Sequence, residues 1–337
     1  MRNKEIDIIR CILTIVVIAF HACCPYFTKT WALTSSMTEG SIGIYTYIGH
    51  ALYNGMLEMF VMLSGFLYAN TLNKKITISF CKKKLLRLYI PCLLWGCIYS
   101  ILFLKDFCVK DIISGIGHLW FLPMLIWLFF IEYIVNKSYL LGLNEYHIFT
   151  ILLLIAILPF PSLPLRLNNS LFYLLFFHCG VVISRNYNHT MYKIRTMTFW
   201  HLSFFMICCA IAIIAITGLD SAAPDQPLIQ KMLLISRSHL IHGLGAIVAL
   251  PLYWRLAIVI SSKWTNQHQI ILSLAQCSFG IYILQEFGLR ILYYNTPFCA
   301  YFGDFSPILS VPIVFVASWL MTKIMVRYRA TAFLIGS

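Results

Sequence analysis

The chain has 337 residues, 60% of them hydrophobic and 11% charged, with a mean hydropathy of +0.82. A soluble domain cannot cover that much apolar surface, so the composition excludes a water-soluble globular protein and requires a bundle of membrane helices. The formal net charge of +13 would suggest nucleic acid in a soluble chain; here its placement marks membrane topology, and no nucleic-acid partner is implied.

Apolar stretches predict ten membrane-spanning helices, at about 6–26, 46–70, 86–104, 119–136, 147–161, 169–184, 199–217, 239–260, 270–292 and 307–326. The fifth is the weakest and stops at "PFPSLP" (Pro159–Pro164). With the N-terminus in the cytoplasm, the inner segments collect Arg2, Lys4, Lys74, Lys75, Lys82, Lys83, Lys84, Arg87, Lys137, Arg185, Lys193, Arg195, Arg255, Lys263, Lys323, Arg327 and Arg329. The outer segments hold only Lys29, Lys105, Lys110, Arg166, Lys231 and Arg237. That asymmetry supports an even number of crossings with both termini inside. The expected fold is all-α: a polytopic bundle of about ten transmembrane helices, one domain over residues 1–337, with no appended soluble domain. The first span lacks a small-residue cleavage site and carries charge, so it is expected to stay. The twelve cysteines are scattered, without CxxC or Cys/His metal spacing, and read as small buried hydrophobes; no metal site is expected.

Five stretches could carry chemistry. In the first span, "EIDIIRCILTIVVIAFHACC", Asp7 and Arg10 are three positions apart and His21 lies eleven beyond Arg10. Eleven residues make about three helical turns and roughly 16 Å of rise, so all three share a stripe. Ionisable groups in hydrocarbon face a protein interior or a water-filled cavity by default. The bland alternative is an Arg–Asp pair at the inner helix end and a separate, hydrogen-bonded His21.

The second span holds "MFVMLSGFLYAN" (Met59–Asn70), where Ser64–Gly65 permits close helix approach, a packing role. Glu58, just before it, needs a partner, for which Arg10 or a histidine would serve. "KKKLLRLYIP" (Lys82–Pro91) enters the third span from the cytoplasm; Lys82, Lys83, Lys84 and Arg87 anchor it at anionic lipid or hold phosphates. "GHLWFLP" (Gly117–Pro123) opens the fourth span at the outer side. There Trp120 is an expected interface aromatic, while His118 could approach His21. "SFGIYILQEFGLR" (Ser278–Arg290) places Gln285, Glu286 and Arg290 in the outer half of the ninth span, where Glu286 and Arg290 can neutralise each other at i and i+4. His50, His178, His239 and His242 read as interfacial or packing residues, and Glu132 is expected to reach the inner interface.

No nucleotide-binding glycine loop, no Gly-x-Ser-x-Gly turn and no long hydrophilic loop is found in the sequence. Any chemistry is therefore intramembrane, and a histidine in a shielded cavity suits a general base towards a hydroxyl.

Together these segments resemble the acyltransferase-3 family of integral membrane acyltransferases, which decorate bacterial surface polysaccharides and related glycans. "IDIIRCILTIVVIAFH" is similar to that family's first helix, with Arg10 and His21 at its arginine–ten residues–histidine spacing. "FVMLSGFL", "KKKLLRLYIPCLLW", "HLWFLP" and "SFGIYIL" resemble further family blocks in the same order. The resemblance covers most of 5–135 and 273–290; spans five to eight match only in hydropathy. One position departs: where family members often have a histidine after the "SFGIYIL"-like block, this chain has Gln285, which hydrogen-bonds but takes no proton.

The resemblance implies a multi-pass protein of the bacterial cytoplasmic (inner) membrane. Acyl-CoA, usually acetyl-CoA, would serve as donor substrate, with no permanently bound cofactor. A surface glycan or lipid-linked saccharide would be the acceptor. Donor phosphates would meet Lys82, Lys83, Lys84 and Arg87, with the pantetheine arm passing Arg10. His21 would act as base, Asp7 would orient Arg10, and His118 would position the sugar or stabilise the oxyanion. Glu58, Trp120, Gln285 and Glu286 are the candidate substrate contacts. Two other readings remain: an exporter of polysaccharide or lipid-linked glycan, and a non-catalytic subunit of a glycan synthase. Against the exporter, the sequence has no paired broken helices or inverted halves. Oligomeric state is not legible.

Overall fold

The computed structural model describes residues 3–26, 31, 42–72, 78–104, 108–139, 142–160, 163–217, 227–263 and 268–336. Arg2, Lys29, Lys74, Lys75 and Lys105 of the topology reading lie outside the described residues, which are 91% helical with no strand. In chain order the helices begin with α1 (Lys4–Cys23), α2 (Ile42–Tyr53), α3 (Met56–Leu72) and α4 (Ile78–Lys84). A π-helical turn, Leu85–Tyr89, joins α4 to α5 (Ile90–Phe103). The short α6 (Val109–Ile113) precedes a 3-10 turn, Gly117–Trp120, that opens α7 (Phe121–Ser138). Next come α8 (Glu145–Ile157), α9 (Leu167–Arg185), α10 (Tyr187–Arg195), α11 (Phe199–Thr217), α12 (Leu228–Lys263) and α13 (His268–Tyr294). The chain closes with α14 (Phe298–Phe302), α15 (Ser306–Arg327) and α16 (Arg329–Ala332).

The architecture is all-α and polytopic, as expected. Among the described residues, seven segments are long and apolar enough to cross a bilayer, eight if α10 and α11, bent by 95°, count as one span. Each of the ten predicted spans falls on a helix, but two are shorter than expected. The stretch 46–70 divides into α2 and α3, of 12 and 17 residues, because Gly55 takes a φ of +77°, open to a residue without a Cβ. The stretch 147–161 yields only the 13-residue α8, about 20 Å long against a hydrocarbon core of about 30 Å.

The first helix is the pillar of the bundle. Asn3 caps it by accepting the Glu5 N–H at 3.0 Å, and Glu5 and Asp7 in its first turn complement the helix dipole. It packs against α2, α3, α12, α13 and α15, and Ile9, Leu13 and Ile18 are fully buried. A helix covered on most sides can hold polar groups away from lipid, which is what its stripe requires. The pair α3–α9 comes closest: a Cβ on Gly65 would enter the Phe177 carbonyl, and one on Gly180 the Met62 carbonyl. Gly65 therefore packs, as its small-residue motif predicts. The π-turn has a covalent cause nearby. Pro91 has no N–H to give the Arg87 carbonyl four residues earlier, so the helical ladder is interrupted where the basic residues lie.

Candidate functional site

Two adjoining cavities run between α1, α3, α7 and α13. The outer-lying one holds about 230 Å³ and is lined by Arg10, Val17, Leu57, Ser64, Phe121 and Tyr282 among others. The other holds about 400 Å³ and is lined by Arg10, Ser64, Lys83, Lys84, Arg87, Phe129 and Gly336 among others. Arg10, Ser64, Leu67, Leu88, Leu125 and Phe279 line both, so the cavities adjoin with Arg10 at their boundary, and the pair is termed the passage. At the basic end, Lys84 Nζ sits 3.6 Å from the centre of the Phe129 ring, and Arg87 donates Nε–H to the Gly336 carbonyl at 2.8 Å. Lys83 lines the passage; Lys82 is exposed and does not. Asp7 is buried one turn before Arg10. Ser64, whose pairing with Gly65 reads as packing, instead faces the passage.

The apolar end stops one helical turn short of a polar cluster, because Val17 precedes His21 by four residues on α1 and Tyr282 precedes Glu286 by four on α13. Glu286, 1% exposed, organises that cluster. Its Oε1 accepts the Tyr99 hydroxyl at 2.7 Å and Arg290 Nε–H at 3.1 Å. Its Oε2 accepts the His118 backbone N–H at 3.1 Å. His118 Nδ1 also lies 2.8 Å from Oε2, close enough for an ion pair but not aligned as a hydrogen bond. The far side of the imidazole, Nε2, is 3.0 Å from the Ile283 carbonyl, and the His118 carbonyl accepts the Tyr282 hydroxyl. His118 is thus held from α13 on three sides, and the buried carboxylate is compensated by Arg290 and two further hydrogen-bond donors, Tyr99 and the His118 backbone.

His21 stands beside this cluster, its ring centroid 6.1 Å from that of His118. Its Nδ1 meets the Gln285 amide, with the oxygen at 3.2 Å and the nitrogen at 2.9 Å. With the nearer nitrogen facing the ring, Nδ1 accepts and Nε2 carries the proton; with the amide turned so that its oxygen faces the ring, Nδ1–H donates and Nε2 carries the lone pair, the tautomer a base needs. Trp31 stacks on His21 at 6.1 Å, and the Arg290 guanidinium in turn lies 4.2 Å over the Trp31 ring. The Trp31 carbonyl accepts the Tyr294 hydroxyl at 2.8 Å. The sequence offers no signal for Tyr99, a tyrosine in an apolar run, while Trp31 there reads equally as a platform for a sugar ring and as an ordinary interface anchor.

The structure brings Arg10, Lys83, Lys84 and Arg87 to one passage, and His21, His118, Gln285 and Glu286 to one cluster at its end. Glu58 and Trp120 stand apart from both, in a separate cavity. Glu58 is 3% exposed and its Oε2 has no hydrogen-bond partner among the described residues. Glu132 is a correction: it does not reach the interface but is fully buried, 3.0 Å from His178 Nδ1. The α7–α9 packing encloses both, and an acid in that position needs its histidine. Among the described residues no group of three His, Cys, Asp or Glu side chains is placed to hold a metal ion.

A family model described as an acyltransferase domain matches residues 3–325 of the chain. Searches of curated proteins and of solved structures each found no match.

Proposed function

The chain belongs to the acyltransferase-3 family, and from that membership we propose that it moves an acyl group, acetyl above all, from cytoplasmic acyl-CoA to a hydroxyl of a surface or lipid-linked glycan. The setting is the bacterial cytoplasmic membrane, and the donor is a substrate that enters and leaves rather than a resident cofactor. One observation carries this reading: two adjoining cavities, with Arg10 lining both, extend from Lys83, Lys84 and Arg87 to within one helical turn of His21 and Glu286.

The basic end offers phosphate contacts, with Lys82 adding to the field from outside the passage. Arg10, beside buried Asp7, holds the donor at the junction. The apolar stretch lined by Val17, Leu57 and Phe121 suits the neutral pantetheine arm. At the far end His21 Nε2 takes the proton of the attacking hydroxyl. The sugar oxygen bonds to the thioester carbon, the carbon–sulfur bond breaks, and the imidazolium returns the proton to the departing thiolate. No bond to the enzyme forms. Gln285 holds the tautomer from Nδ1, so a residue without a titratable proton fills the place of the family histidine. His118 lies within reach of the same centre to position the sugar or stabilise the oxyanion, and the Glu286 carboxylate provides negative charge close to a transient imidazolium.

The test is thiol release and ester formation by the purified chain given acetyl-CoA and glycan from the host surface. His21→Ala should abolish both while inserting normally into the membrane. An active His21→Ala protein overturns the scheme, and glycan movement into vesicles without acyl-CoA consumption would make the chain an exporter.

A further inference from the structure

The passage and its end leave a second cavity unused. It holds about 380 Å³, the size of small-ligand sites, and draws its walls from α3, α7, α9 and α12. Each contributes the end that the distribution of basic residues assigns to the outer side: Glu58 from α3, Trp120 before α7, Asn168 and Asn169 from α9, and Ser238 and His239 from α12. The two compartments stand back to back. Leu57 and Phe121 line the passage, while the next residue, Glu58, and the preceding one, Trp120, line this cavity.

Its chemistry is specific. Glu58 Oε2 and His239 Nδ1 are buried and have no hydrogen-bond partner among the described residues. Native interiors rarely leave such atoms unsatisfied, and an acceptor of this kind calls for a donor from a ligand. Asn168 Nδ2–H donates to Asn169 Oδ1 at 2.7 Å, which aligns two amides at the start of α9 after the left-handed Leu165 and Arg166. Trp120 and Tyr173 wall the same space with their rings 6.2 Å apart. No lysine or arginine lines it among the described residues. An acid, two amides, two histidines and aromatic rings, with no lysine or arginine among the described residues, suit a neutral polyhydroxylated ring better than phosphate or carboxylate.

We propose that this cavity binds a pyranose unit of the acceptor from the outer side, its hydroxyls donating to Glu58 and His239 while Asn168 and Asn169 exchange hydrogen bonds with it. This rests on the transferase reading, and deepens it by giving donor and acceptor separate compartments on the two sides of α3 and α7. The donor-side residues meet phosphate from the cytoplasm; the acceptor-side residues meet sugar from outside. The wall where α7 begins, two residues after His118, lies between them, so the pyranose held here is a unit flanking the one whose hydroxyl reaches His21.

The experiment titrates methyl pyranosides of gluco, galacto and manno configuration against the full chain in lipid nanodiscs, read by saturation-transfer NMR. At least one should bind saturably, and Glu58→Gln and Ser238→Phe, which fills the cavity from α12, should each weaken it by about tenfold. Inorganic phosphate should not compete. Absence of saturable binding, binding that survives both substitutions, or competition by phosphate would each overturn the proposal. Thiol release from acetyl-CoA is measured on the same wild-type preparation. Release without pyranoside binding refutes the cavity and leaves the transferase; pyranoside binding without release refutes the transferase and leaves a sugar site.

Discussion

Replacing Glu286 with Gln changes one oxygen for an NH2 group and removes one charge without changing shape. The native carboxylate accepts from Tyr99, Arg290 and the His118 backbone, and lies 2.8 Å from His118 Nδ1. The Gln oxygen can keep Tyr99 and Arg290, but its NH2 then faces the His118 N–H, donor against donor. Hydrogen bonds to a charged group contribute about 1.5–3 kcal/mol each, and unpairing a buried charge costs about 3–5 kcal/mol. A net loss of about 3 kcal/mol follows, less than the sum because the Trp31 ring remains over the Arg290 guanidinium. Expressed wholly in the transition state, this is about two orders of magnitude in kcat/KM; expressed in the ground state, it lowers the unfolding midpoint. Thiol release and thermal unfolding in detergent, measured together, capture both. Glu286→Asp keeps the charge and should recover part of whichever quantity falls. If Glu286→Gln matches wild type in both measurements, the carboxylate does not hold His118 and the reasoning is refuted.

Arg10→Ala should raise KM for acetyl-CoA with a smaller effect on kcat, since Arg10 lies at the junction of the passage rather than at its reacting end; steady-state kinetics with varied donor would reveal the split. Lys83→Ala and Arg87→Ala should raise the same KM by about tenfold, against about threefold or less for Lys82→Ala, which does not line the cavity. Equal effects at all three would return the basic segment to a membrane anchor. Gly65→Ala should cost several kcal/mol, roughly 3 or more, because its Cβ would meet a backbone carbonyl that no rotamer change can move; monodisperse yield on size exclusion reports it, and a normal yield would show that α3 and α9 can separate. Glu132→Ala, which strands His178 in a dry interior, should cost about 3–5 kcal/mol, and the double variant Glu132→Leu with His178→Phe should restore much of it by making both sides of the pair apolar; unfolding midpoints of single and double variants decide.

Much of the site was legible because its residues are ionisable within apolar helices. Arg10, His21, His118 and Glu286 stand out wherever they fall, since hydrocarbon makes each one expensive without a reason. Helical geometry then places Arg10 and His21 on one stripe from spacing alone. Tyr99 and Ser64 gave no such signal, because a tyrosine or serine in a membrane helix is ordinary until its neighbours are known. Glu58 was legible as a mid-span acid in need of a partner and Trp120 as an outer-interface aromatic, but not as walls of a compartment apart from His21.

By itself, the amino-acid sequence determined the class of solvent, the helical architecture and the family, all properties summed over local stretches. The tertiary structure alone decided that Glu286 gathers Tyr99, His118 and Arg290, that Gln285 meets His21, and that Glu132 is buried with His178. Those pairings join residues far apart in the chain, and their partners are set by how helices cross and where small residues such as Gly65 and Gly180 let backbones approach. Periodicity tells which face of a helix is polar, but only packing tells which other polar face it meets.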